Sequence, residues 1–256
     1  MLTEMLFLFT AGFFGGILNS VAGGGSFITF PALIFVGIPP IIANATNTFA
    51  SSFGYLSGTY AFISDLHTQK DNIPRFILIG FLGGIIGAWL LMQTSDTQFR
   101  EVIPWLLLFA TLMFIFGRQI NIKMVKLSTL HRKSPSGWAI LSWIILLVIS
   151  IYGGFFNAGM GIIILGYLAL LGYCDINTMN GLKLLTSTAI SLAAIAFFIV
   201  NDAIAWYQGT LVLIGTLLGG YVAAHYSRLL PQTHIRGFVI IASISITSYF
   251  FYDIYW

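Results

Sequence analysis

Long apolar runs follow one another along the whole chain, parted by short polar or glycine-rich breaks. The first half holds such runs at 4–22, 26–37, 41–62, 73–93 and 101–118, and the second at 138–158, 161–172, 178–199, 204–226 and 234–253. A run such as "WAILSWIILLVISIYGGFF" is apolar on every face. A membrane β-barrel would instead show about 10-residue segments of alternating polarity. The pattern predicts an all-α fold: a polytopic transmembrane helical bundle. The runs 26–37 and 161–172 are too short to span. A dozen residues cover roughly 18 Å of a hydrocarbon core about 30 Å thick. They read as half-helices or re-entrant segments.

Both short runs follow a glycine break. "SVAGGGSFITFP" carries Gly23, Gly24 and Gly25, and "NAGMGIIILGY" keeps Gly159 and Gly161 around Met160. A lone pair such as Gly83–Gly84 or Gly219–Gly220 fits close helix packing. Three glycines at a helix junction lose helix propensity and leave N–H groups without intrahelical partners. In a bilayer such groups must be buried in protein or line a cavity. With Ser26 as N-cap, the next helix would aim its free N–H groups and positive dipole end at that cavity, an arrangement suited to an anion.

The helix after each short run opens with polar residues. "IIANATNTFASSFG" places Asn44, Asn47 and Ser51 on one face, and "NTMNGLKLLTSTAIS" does the same with Asn180, Lys183 and Ser187. Polar groups in an apolar span need partners and face the bundle interior, as interhelical hydrogen bonds or as substrate contacts. Lys183 is the sharpest single residue. A basic residue inside a span either snorkels to the interface or serves function. Facing the interior, it would neutralise an anion.

These features repeat. At an offset of about 136 residues Gly25 meets Gly161, Asn44 meets Asn180 and Ser51 meets Ser187, while Asn47 stands opposite Lys183. The chain divides into a first transmembrane repeat at 1–118, a basic linker at 119–137 and a second repeat at 138–256. Arg118, Lys123, Lys126, Arg132 and Lys133 in and beside the linker, with no acid among them, place it in the cytoplasm. The loops with Lys70 and Arg75 and with Arg228 and Arg236 then also lie inside, and both termini outside. Five crossings per half make the repeats inverted, the plan of many secondary transporters. Re-entrant hairpins would give four crossings and parallel repeats; the charge bias favours inversion.

Composition adds limits. Only 7% of residues are charged and 58% are hydrophobic, against about 25% charged in a soluble domain. The N-terminus has no positive region or small-residue cleavage site and reads as the first membrane helix. The single cysteine, Cys174, leaves no intramolecular disulfide or multi-cysteine metal site. The four histidines have no ligand spacing, and no P-loop or catalytic triad appears, so no metal, cofactor, catalytic residue or enzyme activity is expected. Embedded carboxylate pairs are missing, which disfavours an Asp/Glu ion relay. No nucleic-acid partner is expected; the partners are the lipid bilayer and a small anion.

"GGILNSVAGGGSFITFPALIFVGIPPIIANATNTFASSFGYLSG" resembles the first repeat of the sulfite exporter TauE/SafE family, also called the toluene sulfonate uptake permease family. The resemblance rests on Gly23 to Gly25, Pro31, Leu33, Gly37, Pro39, Asn44 and Thr46. Length, central basic stretch and tandem repeat fit as well. The second repeat departs from the pattern at Met160, Tyr167 and Lys183. The resemblance implies a multi-pass inner-membrane transporter of small anions, often sulfite or organosulfonates. Together with the residues it predicts a secondary transporter working by alternating access. Gly23, Gly24, Gly25, Ser26, Asn44, Asn47, Ser51, Gly159, Gly161, Asn180, Lys183 and Ser187 would form its substrate site. The oxyanion would lie between half-helices starting near Ser26 and Ile162, with Asn44, Asn47 and Asn180 donating hydrogen bonds. An anion channel with the same lining and an accessory subunit without transport are the alternatives. Substrate, direction, coupling ion and oligomeric state are left open.

Overall fold

A computed structural model describes residues 2–22, 24–131, 137–226 and 232–256. Among these residues ten α-helices follow one another: α1 (Leu2–Ala22), α2 (Ser26–Phe35), α3 (Pro40–Ala61), α4 (Ile73–Met92), α5 (Asp96–His131), α6 (Gly137–Phe155), α7 (Met160–Leu170), α8 (Ile176–Val200), α9 (Trp206–Tyr226) and α10 (Gln232–Tyr255). A short 3-10 turn, Asp65–Gln69, joins α3 to α4, and no strand occurs among the described residues. Among the described residues five helices are long and apolar enough to cross a membrane, over 2–19, 73–92, 96–117, 176–200 and 237–255. At 22 residues α3 is about 33 Å long, enough to span. Its buried Asn44, Thr46, Asn47, Thr48, Ser51 and Ser52 lower its apolarity.

The largest departure from the expected boundaries is at α5. α5 continues to His131, through most of the stretch expected as a linker loop. "RQINIKMVKLSTLH" is basic but free of glycine and proline, and Lys, Arg, Gln, Met and Leu are sound helix formers. Residues 132–136, in the same stretch, lie outside the described residues.

The short helices end alike. Gly37 takes φ +86° past α2 and Gly172 takes φ +88° past α7. Gly37 N–H donates to Ile34 O and Ile38 N–H to Leu33 O; Gly172 N–H donates to Ala169 O and Tyr173 N–H to Leu168 O. This is the Schellman stop, which needs a left-handed residue that glycine adopts without strain. Polar contacts fix where these ends lie. Asp96, at the start of α5, accepts from Ile41 N–H at the start of α3 (3.2 Å), and Arg100 pairs with Asp253 near the end of α10 (2.9 Å). At the far end of α3, the Tyr173 hydroxyl donates to Gln69 (3.0 Å) and Arg75 sits 5.8 Å from the Trp143 ring. So α2 stops at the end where α3 begins, and α7 stops at the end where α3 finishes. The two short helices point in opposite directions, their first turns toward the interior.

Glycines set the closest helix contacts. On α1, Gly12 lies against Val212 and Gly16 against Thr216 of α9, while Gly219 of α9 lies against Phe13. On α4, Gly83 lies against Ser150 and Gly87 against Ile151 of α6, while Gly84 faces Ile190 of α8. A Cβ at any of these would meet backbone or a packed side chain. Close approach through small residues is how membrane helices gain contact without a hydrophobic drive between them. The register shows that α1 runs parallel to α9, and α4 parallel to α6. Helix α3 packs on α8, and α5 on α10; α2 packs on α10 and α7 on α5.

Candidate functional site

The first break is tighter than three glycines suggest. Gly23 lies outside the described residues. Gly25 keeps helical dihedrals (φ −58°, ψ −38°) and is itself the N-cap, so Ser26 is the first residue of α2 and caps nothing. The expectation of Ser26 as N-cap is therefore corrected. The N–H of Phe27 bonds to Gly24 O, and those of Ile28 and Thr29 bond to Gly25 O. Three donors of the first turn are thus occupied, because near-helical glycines place their carbonyls within reach. Gly24 is a packing position: a Cβ there would stand 2.6 Å from Val239 Cγ1 on α10. At Gly25 a Cβ would stand 2.9 Å from Asn19 Cβ. Thr29, buried, donates to the Asn47 side-chain oxygen. Asn47 accepts here through its oxygen, and its Nδ2 is a separate donor.

The second break is a real interruption. The chain leaves the helix after Phe155, and Gly159 takes φ +77° as the N-cap of α7. The short helix starts at Met160, two residues before the expected Ile162, because the left-handed Gly159 lets the chain turn at once. Groups from both halves satisfy the exposed backbone. Asn44 Nδ2 on α3 donates to Phe155 O (2.8 Å), and the Tyr152 hydroxyl donates to Ala158 O (2.8 Å). The Tyr55 hydroxyl on α3 donates to Asn157 Oδ1 (2.8 Å). Asn157 is buried, and its Nδ2 has no hydrogen-bond partner among the described residues. A buried amide with an open donor is rare and calls for an explanation.

Lys183 completes this region. A Cβ on Gly161 would lie 3.4 Å from Lys183 Cδ, so the lysine stem runs over the first turn of α7. Its Nζ donates to Asn180 Oδ1 (3.1 Å), and the Asn180 Nδ2 is a separate donor that this bond does not use. No carboxylate pairs with Lys183; the ion pair seen among the described residues is Arg100–Asp253. At the start of α8, Asp175 accepts from Thr178 N–H (2.8 Å) as N-cap. Hydrogen bonds from the Thr178 hydroxyl and N–H hold its carboxyl below the usual range. Asp175 is thus engaged with the helix end.

Of the expected site residues, Gly161, Asn180 and Lys183 come together at the start of α7, beside Gly159. Gly25 and Asn47 meet at the first break through Thr29. Asn44 reaches across to the other half's break. Ser51 and Ser187 are buried on α3 and α8. Tyr55, Tyr152 and Asn157 were not among the site residues expected from sequence. A tyrosine inside an apolar run is the signal that could have found them, since a buried hydroxyl needs a partner. Replacing Tyr55 by Phe leaves both ends of the Asn157 amide unpaired, an expected loss of about 1–3 kcal/mol. Thermal unfolding in detergent checks this against Tyr60→Phe, at a position 77% exposed. Equal melting temperatures for the two variants would remove the Tyr55–Asn157 bond from the account.

Two cavities lie at opposite ends of the bundle, beyond the stops of α2 and α7. One, of about 370 Å³, is lined by Gly37, Asp96, Arg100 and Asp253, and the other, of about 260 Å³, by Asn72, Ser142, Trp143 and Tyr173. No cluster of metal-ligating side chains exists among the described residues.

Comparison with known proteins agrees with this architecture. The model of the family described as sulfite exporter TauE/SafE matches residues 8–250. A probable membrane transporter protein of Haemophilus influenzae is 30% identical over 250 residues, 97% of this chain and 95% of its own. The probable membrane transporter protein YfcA of Escherichia coli strain K12 is 28% identical over 251 residues, 96% of this chain and 89% of its own. No solved structure matches. With the match running through both halves and both breaks, the chain belongs to the sulfite exporter TauE/SafE family of multi-pass membrane transporters.

Proposed function

We propose that this protein is a secondary transporter of a small anion, sulfite or an organosulfonate, working by alternating access in the inner membrane. The observation that carries the reading is Lys183 lying over the first turn of α7 with no carboxylate partner. A cation held in apolar surroundings is stabilised by an anion. The positive end of the α7 dipole adds to that preference. The open Nδ2 of Asn157, three residues before α7, supplies an uncommitted donor at the same break. The site is asymmetric, centred on the second break.

Alternating access draws on the arrangement of the halves. Exchanging α1–α5 with α6–α10 carries the α1–α9 packing onto α6–α4, and the α5–α7 packing onto α10–α2. Opposed short helices fit two inverted repeats, whose rocking would open the site to either face in turn. The end carrying Lys70, Arg75 and Trp143 is read as cytoplasmic.

A thermal-shift screen of the purified protein tests the reading. Sulfite and methanesulfonate should raise the melting temperature in proportion to the logarithm of concentration above Kd. Chloride at matched ionic strength should do less. A flat response to every sulfur oxyanion would overturn the proposal.

A further inference from the structure

Lys183 lies deepest among the charged residues of the five candidate spans, seven residues into α8, or about 10 Å along its axis. Its stem crosses the start of α7, and its amine has one partner, a neutral amide oxygen at 3.1 Å. Carboxylates, the usual proton carriers of membrane transporters, are placed elsewhere: Glu4, Asp96, Glu101 and Asp253 sit near helix ends. Titratable groups on the elements packed against α8 are Tyr55 and Tyr60 on α3, Arg75 on α4, Tyr152 on α6, Tyr167 on α7, and Asp65 and His67 in the 3-10 turn. Asp175 caps α8 itself. None forms an ion pair with Lys183.

We infer that Lys183 is the proton-coupling residue, and that the protein moves a monoanion together with one proton. This rests on the anion-transporter reading above and names its coupling ion. An ammonium alone in apolar surroundings is costly, and so is an anion alone. Together they form a charge-assisted pair. Bound proton and bound anion therefore stabilise one another at this amine, and linkage makes the effect reciprocal. The balance is simple: the amine takes one proton as the anion docks, and gives it up on the opposite side as the anion leaves. No net charge crosses the membrane.

The test uses the purified full chain in proteoliposomes with radiolabelled methanesulfonate, a monoanion across the working pH range that cannot carry the proton itself. A pH gradient, acid on the side of the added substrate, should drive accumulation of about tenfold per pH unit. Clamping the membrane potential at different values should leave accumulation unchanged. An entrapped pH dye should report protons entering with the substrate. Arginine is always protonated. Whatever uptake Lys183→Arg retains should therefore follow the membrane potential and ignore the pH gradient. Wild-type uptake that ignores the pH gradient overturns the inference alone, as does pH-driven accumulation that persists in Lys183→Arg. The dye and potential measurements on wild type decide the matter if Lys183→Arg does not fold. Absence of any methanesulfonate or sulfite transport by folded wild type overturns the transporter reading and the inference with it.

Discussion

Lys183→Gln should move the anion-dependent rise in melting temperature to much higher anion concentration while leaving the apo protein folded. Glutamine keeps a polar group near Asn180 and most of the stem over Gly161, but removes the charge. A hydrogen bond to a charged group contributes about 1.5–3 kcal/mol. Affinity for sulfite or methanesulfonate should fall by roughly 10–100-fold. With no anion bound the position carries no charge in either protein, so apo stability should hold. Asn180→Ala, which removes the partner of the amine and keeps the charge, should weaken binding less. Anion shifts of wild-type size in folded Lys183→Gln would take Lys183 out of the site.

The largest structural effect is expected at the glycine contacts between α1 and α9. A Cβ on Gly219 would stand 2.7 Å from Phe13 C and 3.0 Å from Phe13 Cα. The obstacle is backbone inside a packed helix, so no rotamer change relieves it. Overpacking a core costs about 1–3 kcal/mol even where side chains yield. Here the helices must separate, and Gly219→Leu should fail to give monodisperse protein in detergent. Gly237→Ala is the control: α10 leaves open space there, and alanine in a helix is favoured over glycine by about 1 kcal/mol. A Gly219→Leu protein that elutes and melts like wild type would contradict the packing described.

Sequence pattern located the helices because apolar length and glycine stops are local signals. α2 and α7 were recognisable as short since Gly37 and Gly172 end them within about a turn of where the apolar run weakens. α5 was drawn too short since the basic residues of its last turns suggested a loop, while their helix propensity kept the chain helical. The site was only half legible. Lys183 stood out because a charge inside a span is conspicuous in any alignment of polarity. Asn44 was recognised as needing a partner, but not which one. Its partner is the backbone carbonyl of Phe155, 111 residues away, and side-chain chemistry carries no trace of a distant carbonyl. Gly24 and Gly25 were read as cavity lining, whereas their missing side chains admit Val239 and Asn19. Packing and ligand access make the same demand on a sequence, and only the neighbours tell them apart.

The central claim is a carrier whose anion site alternates between faces, and counterflow measures it most directly. Proteoliposomes holding the purified protein are preloaded with excess unlabelled methanesulfonate and diluted into a trace of labelled substrate, with pH equal on both sides. A transient accumulation of label above equilibrium is expected, saturable in external substrate and lost in Lys183→Gln. A label that equilibrates without overshoot, at a rate unaffected by the internal load, would contradict it and indicate a channel.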